Sequence, residues 1–207
     1  MKPFKYWIYF FVICFSLGFL NGIFIEPSEK QMTILSLKKE ILTPDLINFF
    51  KQVYNINIVF IFAENKNDVE GYLVKKGAPD LVLAPSNVLD YFSQQGLLSS
   101  SKKIEKHNQN QSPALMVNTN SLNQVPIAWN LTEKENKYAL EILSLSIPVN
   151  AESVSNSESE LDLFIEALKK TKGFSPPYRF SFLEKGQKNQ ELEEFVRSHE
   201  INKIILE

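Results

Sequence analysis

Residues 32–62, MTILSLKKEILTPDLINFFKQVYNINIVFIF, carry the pattern that decides the fold. Met32–Leu37 is a short apolar run that reads as a strand, and Ile56–Phe62 reads as a second, buried one. Between them Thr43-Pro44-Asp45 makes a helix start: a hydroxyl N-cap, proline at the first helical position, and an acid at the positive end of the dipole. Leu46, Ile47, Phe49, Phe50, Val53 and Tyr54 follow at helical spacing until Asn55 and Asn57 break the run. A strand, a helix and a strand joined by a single crossover imply a parallel pair.

The same alternation continues toward the C-terminus. Asp68–Lys76 reads as a helix ended by Gly77, Asp80–Ala84 as a short buried strand, and Ser86 as the cap of a helix through Gln95 with Gly96 just past its end. The chain is therefore expected to be α/β, a mainly parallel sheet flanked by helices. Ser99–Asn123 is polar and reads as a surface loop or short helix. Val125–Thr132 and Tyr138–Ile147 are two strands with only Glu133–Lys137 between them, so a β-hairpin is the economical reading. Ala151–Glu160 reads as a loop. Leu161, Phe164, Ile165 and Leu168 mark an amphipathic helix ending near Gly173. Pro176-Pro177 stops regular structure, Tyr178–Leu183 reads as a strand, Glu191–His199 as a helix and Lys203–Leu206 as a last short strand.

Toward the N-terminus lies Tyr6–Ile25, which has no charged residue. At about 20 residues such a segment can span a bilayer as a helix. Lys2 and Lys5 precede it and Glu26 and Glu29 follow, which orients the chain with its N-terminus inside. It reads either as a retained transmembrane anchor or as a signal peptide with Ser16-Leu17-Gly18 as the cleavage region. Both readings divide the chain into 1–30, the signal or anchor, and 31–207, one exported domain. They place that domain on the periplasmic face of the inner membrane, or free in the periplasm or medium after cleavage.

Chemistry-bearing motifs are few. The exported part holds 20 basic and 24 acidic residues, a mildly acidic balance without a basic stripe, which argues against nucleic acid as partner. Cys14, the only cysteine, sits in the apolar segment, so one chain can form neither a disulfide nor a cysteine metal site. His107 and His199 have no partner at metal-ligand spacing, and no nucleophile-elbow, P-loop or dinucleotide-binding glycine pattern occurs. The expectation is a protein that is not an enzyme and takes neither cofactor nor metal.

The stretch from Ile34 to Ile104 resembles the periplasmic solute-binding proteins of ABC transporters, in particular the spermidine/putrescine-like subfamily. The resemblance rests on the order ILSLKKEI, TPDLINFFKQVYNINIVF, the acidic loop AENKND, GAPDLVLAPSNVLDYFSQQGLL and KKIEK. VPIAWN resembles the strand by which such chains leave the first lobe, and SLSIPVNA followed by SELDLFIEALKK resembles the return. In the family a whole second lobe lies between exit and return; here EKENK stands in its place. The resemblance thus implies a single lobe, with the second missing and with no two-lobe clamp.

It also implies a site. Ser86 and Asn87 match the pocket residues after the third strand, with Ser86 equally readable as a plain helix cap. Glu64 matches a loop acid that could accept from an amine, or is a solvated carboxylate. Trp129 matches an aromatic that stacks on ligand, or packs the core. Lys38-Lys39 replaces the family's aromatic turn after the first strand, and these lysines would repel a polyamine. The implied function is an exported or tethered binding module, whose partner is a small polar solute or an envelope protein. One alternative is a working substrate-binding component of an ABC uptake system, for a polyamine-like or amino-acid-like solute, with an ABC permease as partner. The other is an envelope structural or interaction protein.

Overall fold

The computed structural model describes residues 30–39, 41–100, 123–134, 137–171, 173–180, 194 and 204–206. Gln31–Glu207 makes up one compact unit. Its described elements are β1 (Lys30–Ser36), α1 (Pro44–Phe49, continued as a π-helical turn over Phe50–Tyr54), β2 (Ile56–Phe62), α2 (Lys66–Leu73), β3 (Leu81–Pro85) and α3 (Ser86–Gln94). The hairpin β4 (Val125–Lys134) and β5 (Lys137–Ser146) follows, then α4 (Val154–Thr171), β6 (Arg179–Phe180) and β7 (Ile204–Leu206).

Seven strands form one sheet in the order β2-β1-β3-β5-β4-β6, with β7 joining β5. β3 pairs with β5 up to Pro85↔Leu143, while β7 pairs at Tyr138–Leu140, so β7 continues the line of β3 beyond its end. The sheet is mixed, not mainly parallel. β1 and β3 are parallel, but β5 runs antiparallel to both β3 and β4, and β6 antiparallel to β4. The cause is the hairpin: a strand that turns straight back from β4 and inserts beside β3 must oppose its hairpin partner. The expected hairpin itself is present, its pairing running from Val125↔Leu145 to Lys134↔Lys137.

Strand alternation sorts the core into two layers. Met32, Ile34, Leu81, Leu83, Leu143 and Leu145 face α1 and α4, where Phe50 stacks on Phe164 with ring centroids 5.5 Å apart. Leu35, Val82 and Ala84 face α2 and α3, against Val69, Leu73, Leu89 and Phe92. Helices thus cover both sides of the sheet.

Local starts and stops follow side-chain chemistry. Asn55 ends the first helix in the left-handed region at φ 53°. The Asn65 side chain accepts from the Asp68 N–H, so α2 begins two residues before the expected Asp68. Gly96, at φ 70°, follows α3 as expected. Two expectations need correction. Ser86 is the first residue of α3 rather than its cap, a place taken by Pro85 without a side-chain bond. The segment 154–160 is helix, not loop: the Ser153 hydroxyl accepts from the Asn156 N–H, and Ser157 and Glu160 are buried on the same face as Leu161 and Phe164. Tyr6–Ile25, 101–122 and all of Glu191–His199 except Glu194 lie outside the described residues. Among the described residues no helix is long and apolar enough to cross a membrane.

Candidate ligand-binding site

Chain geometry at the end of β1 creates the site. The Ser36 hydroxyl accepts from the Lys38 N–H and donates to the Lys38 carbonyl, curling the chain out of the sheet. β3, which separates β1 from β5, stops at Pro85, and the Lys38 ammonium reaches past its end to the Glu141 carboxylate on β5 at 2.8 Å. The same carboxylate accepts from the Tyr178 hydroxyl at 2.5 Å. Burial, and then this hydrogen bond, push the Tyr178 phenol well above its ordinary range.

A cavity of about 620 Å³ opens on this face, within the range of small-molecule sites. Ser36, Lys38 and Lys39 line it from the β1 exit, Ile41, Leu42, Pro44 and Ile47 from the approach to α1, and Phe60, Phe62 and Leu83 from β2 and β3. Ser175 and Pro176 close it from the segment after α4. That segment is stitched down by backbone bonds from Ser175 N–H to the Ile41 carbonyl (2.6 Å) and from Thr43 N–H to the Gly173 carbonyl (3.0 Å). The walls are mostly apolar. Phe62, 44% exposed, stands at the rim of the cavity.

No family model and no curated protein matches this sequence. Solved structures match the fold. The substrate binding protein of an ABC transporter from Agrobacterium tumefaciens superposes with a TM-score of 0.56 at 7% identity, covering 88% of each chain. A spermidine/putrescine-type ABC transporter protein of Listeria monocytogenes gives 0.56 at 8% identity, covering 70% of this chain and 80% of that one. The spermidine/putrescine ABC transporter substrate-binding protein of Streptococcus pneumoniae gives 0.51 at 9%, covering 68% and 80%. The fold is that of a periplasmic solute-binding protein lobe.

Within this fold the residues singled out from sequence separate onto different surfaces. Lys38 lines the cavity together with its neighbour Lys39, while Glu64, Ser86, Asn87 and Trp129 do not. Glu64 lies just past β2, exposed, with its backbone N–H bonded to the Asp68 carboxylate at 3.1 Å. Ser86 is buried and its hydroxyl pairs with that of Ser144 at 2.7 Å. Asn87 is exposed on the first turn of α3. Trp129 is 2% exposed, opposite Ile142 in the hairpin, with the Arg179 guanidinium 5.5 Å from its ring. Along β5, Glu141 and Leu143 point to the cavity side, so Ile142 and Ser144 point away from it. Trp129 and Ser86 therefore belong to the opposite face of the sheet from Lys38.

The sequence reading missed most of the cavity wall. Phe60 and Phe62 sit at alternate positions of an edge strand, a weak hint that their face is incompletely covered. Ser175, Pro176, Glu141 and Tyr178 come to the end of β1 from more than a hundred residues away, and no local signal announces that meeting.

Proposed function

We propose that this lobe is a binding module rather than a catalyst, and that its ligand occupies the cavity at the C-terminal end of β1. The observation that carries the reading is the position of that cavity. It opens where the strands β1 and β3 end and the chain departs to a helix, the place at which open α/β sheets hold ligands. The likeness of the fold to solute-binding proteins supports a small solute as the occupant. In this reading the chain acts outside the cytoplasm, tethered by Tyr6–Ile25 or released after cleavage. It captures its ligand without a second lobe closing over it.

The test is thermal denaturation of the full 207-residue chain against polyamines, amino acids, sugars and organic acids. A ligand at a hundred times its Kd stabilises the native state by about 2.7 kcal/mol. Ile47→Trp, which puts an indole into the cavity, is expected to abolish the shift. If no solute stabilises the chain, and crosslinking recovers a protein partner instead, the module binds proteins and the solute reading fails.

A second reading, a working component of an ABC uptake system, is favoured by the transporters to which the similar structures belong. Crosslinking of the ligand-loaded chain to a permease subunit, absent without ligand, distinguishes it.

A further inference from the structure

Resting on the reading of the cavity as a ligand site, we propose that it selects an amphipathic monoanion, a carboxylate carried on an aliphatic or aryl body, and rejects cations. Two lysines and no acid line the cavity among the described residues. The two lysines are not equivalent. Lys38 is already neutralised by Glu141 at 2.8 Å, and Glu141 is itself held by Tyr178, so an incoming carboxylate would have to break a three-membered chain to use it. Lys39 is exposed, forms no ion pair among the described residues, and lines the same opening. Among the described residues, the cavity therefore carries one positive charge at its mouth that no carboxylate offsets.

The rest of the lining determines the body of the ligand. Ile41, Leu42, Phe60 and Leu83 offer hydrocarbon, and the Ser36 hydroxyl is consumed by the Lys38 backbone. A sugar or a zwitterion with many donors would find few partners there, and unpaired polar groups of a ligand are costly to desolvate. A polyamine would meet Lys39 at close range, with no carboxylate among the described lining residues left to receive it. An aliphatic or aryl acid of about ten heavy atoms fits easily in a site of this size class. It can place its chain on the apolar wall and its carboxylate at Lys39 in partly screened solvent.

Isothermal titration of the full chain with octanoate, octan-1-ol and octylamine separates the terms, because the three share a body and differ in head-group charge. Octanoate is expected to bind at least tenfold more tightly than octan-1-ol, and octylamine most weakly. Raising the salt concentration should narrow that order. Lys39→Gln, an exposed substitution, should remove the octanoate advantage and leave octan-1-ol unchanged, while Ile47→Trp supplies the background for binding elsewhere on the chain. Equal binding of octanoate and octan-1-ol, or a preference that survives Lys39→Gln, overturns the anion selectivity and leaves the site intact. The selectivity is likewise overturned if no octyl probe binds but another solute stabilises the chain in a manner blocked by Ile47→Trp. If neither the octyl probes nor any other solute binds, both the selectivity and the site fall.

Discussion

At Gly173 the chain leaves α4 and passes so close to α1 that an added Cβ would lie 2.6 Å from the Leu46 Cβ. That contact is side chain against a buried helix residue, and the Gly173 carbonyl also receives the Thr43 N–H, so neither partner can move freely. Gly173→Ala is expected to cost about 1–3 kcal/mol, as overpacking does. Gly71 provides the opposite case: it lies inside α2, and a Cβ added there would meet nothing within 4 Å. Gly71→Ala should stabilise by about 0.5–1 kcal/mol through helix propensity. Urea unfolding of the two variants gives both signs in one experiment. Ser86 and Ser144 permit a second test at this scale. Each is buried and each hydroxyl finds its partner in the other, so Ser86→Ala leaves the Ser144 hydroxyl without that bond, at a cost of about 1–3 kcal/mol. Ser86→Ala combined with Ser144→Ala should cost less than the sum of the singles, and strict additivity in a double-mutant cycle would show that the pair is not coupled.

Where elements meet, the chain Lys38–Glu141–Tyr178 joins the β1 exit, β5 and the segment after α4 around one carboxylate. Its pH signature can be assigned a sign. The folded pKa of Tyr178 is raised above its unfolded value by burial and by Glu141, so the phenol's contribution is fully present below the unfolded pKa near 10 and is lost as pH rises above it. Tyr178→Phe should therefore flatten the alkaline fall in stability measured by denaturant unfolding from neutral pH to about pH 11, and an unchanged slope would show that the phenol contributes nothing to it. This junction also marks the limit of what the sequence discloses. Periodicity and punctuation made β1, α1, β2, β3, α3 and the hairpin legible, because each is written in contiguous residues such as Thr43-Pro44 and Gly96. The start of α4 was hidden, since Ser155, Asn156 and Ser157 resemble a loop in composition and are held helical by the Ser153 cap and by tertiary burial. Trp129, readable either as core or as a stacking platform, is core. The cavity was legible only at Lys38-Lys39. Its remaining walls depend on which distant segments pack at the strand ends, and a linear pattern does not encode that.

For the molecule as a whole, the hairpin bears on how the proposed ligand would be held. β4 and β5 remain paired to Lys134↔Lys137, so only Glu135 and Asn136 join the strands that, in the two-lobe proteins the sequence resembles, lead to and from a second lobe. Closure of one lobe upon another is a hinge motion, and a hinge needs a body on each side. On the proposed reading, and among the described residues, the enclosure of a ligand comes from the cavity walls themselves, from Phe62 at the rim and from the stitched segment at Ser175. The hairpin tip should then be separable from binding. Inserting a Gly/Ser stretch of about ten residues between Glu135 and Asn136 lengthens the connection without touching the pairing that begins at Lys134, and the loop-closure term for such a change is on the order of 1–2 kcal/mol. Urea unfolding is expected to show a lowered midpoint with an unchanged m-value, because the surface exposed on unfolding barely changes. Ligand affinity, measured by the same titrations, should match the parent chain. A large drop in affinity would mean that the hairpin tip helps to enclose the ligand, and the cavity at the end of β1 would then be only part of the site.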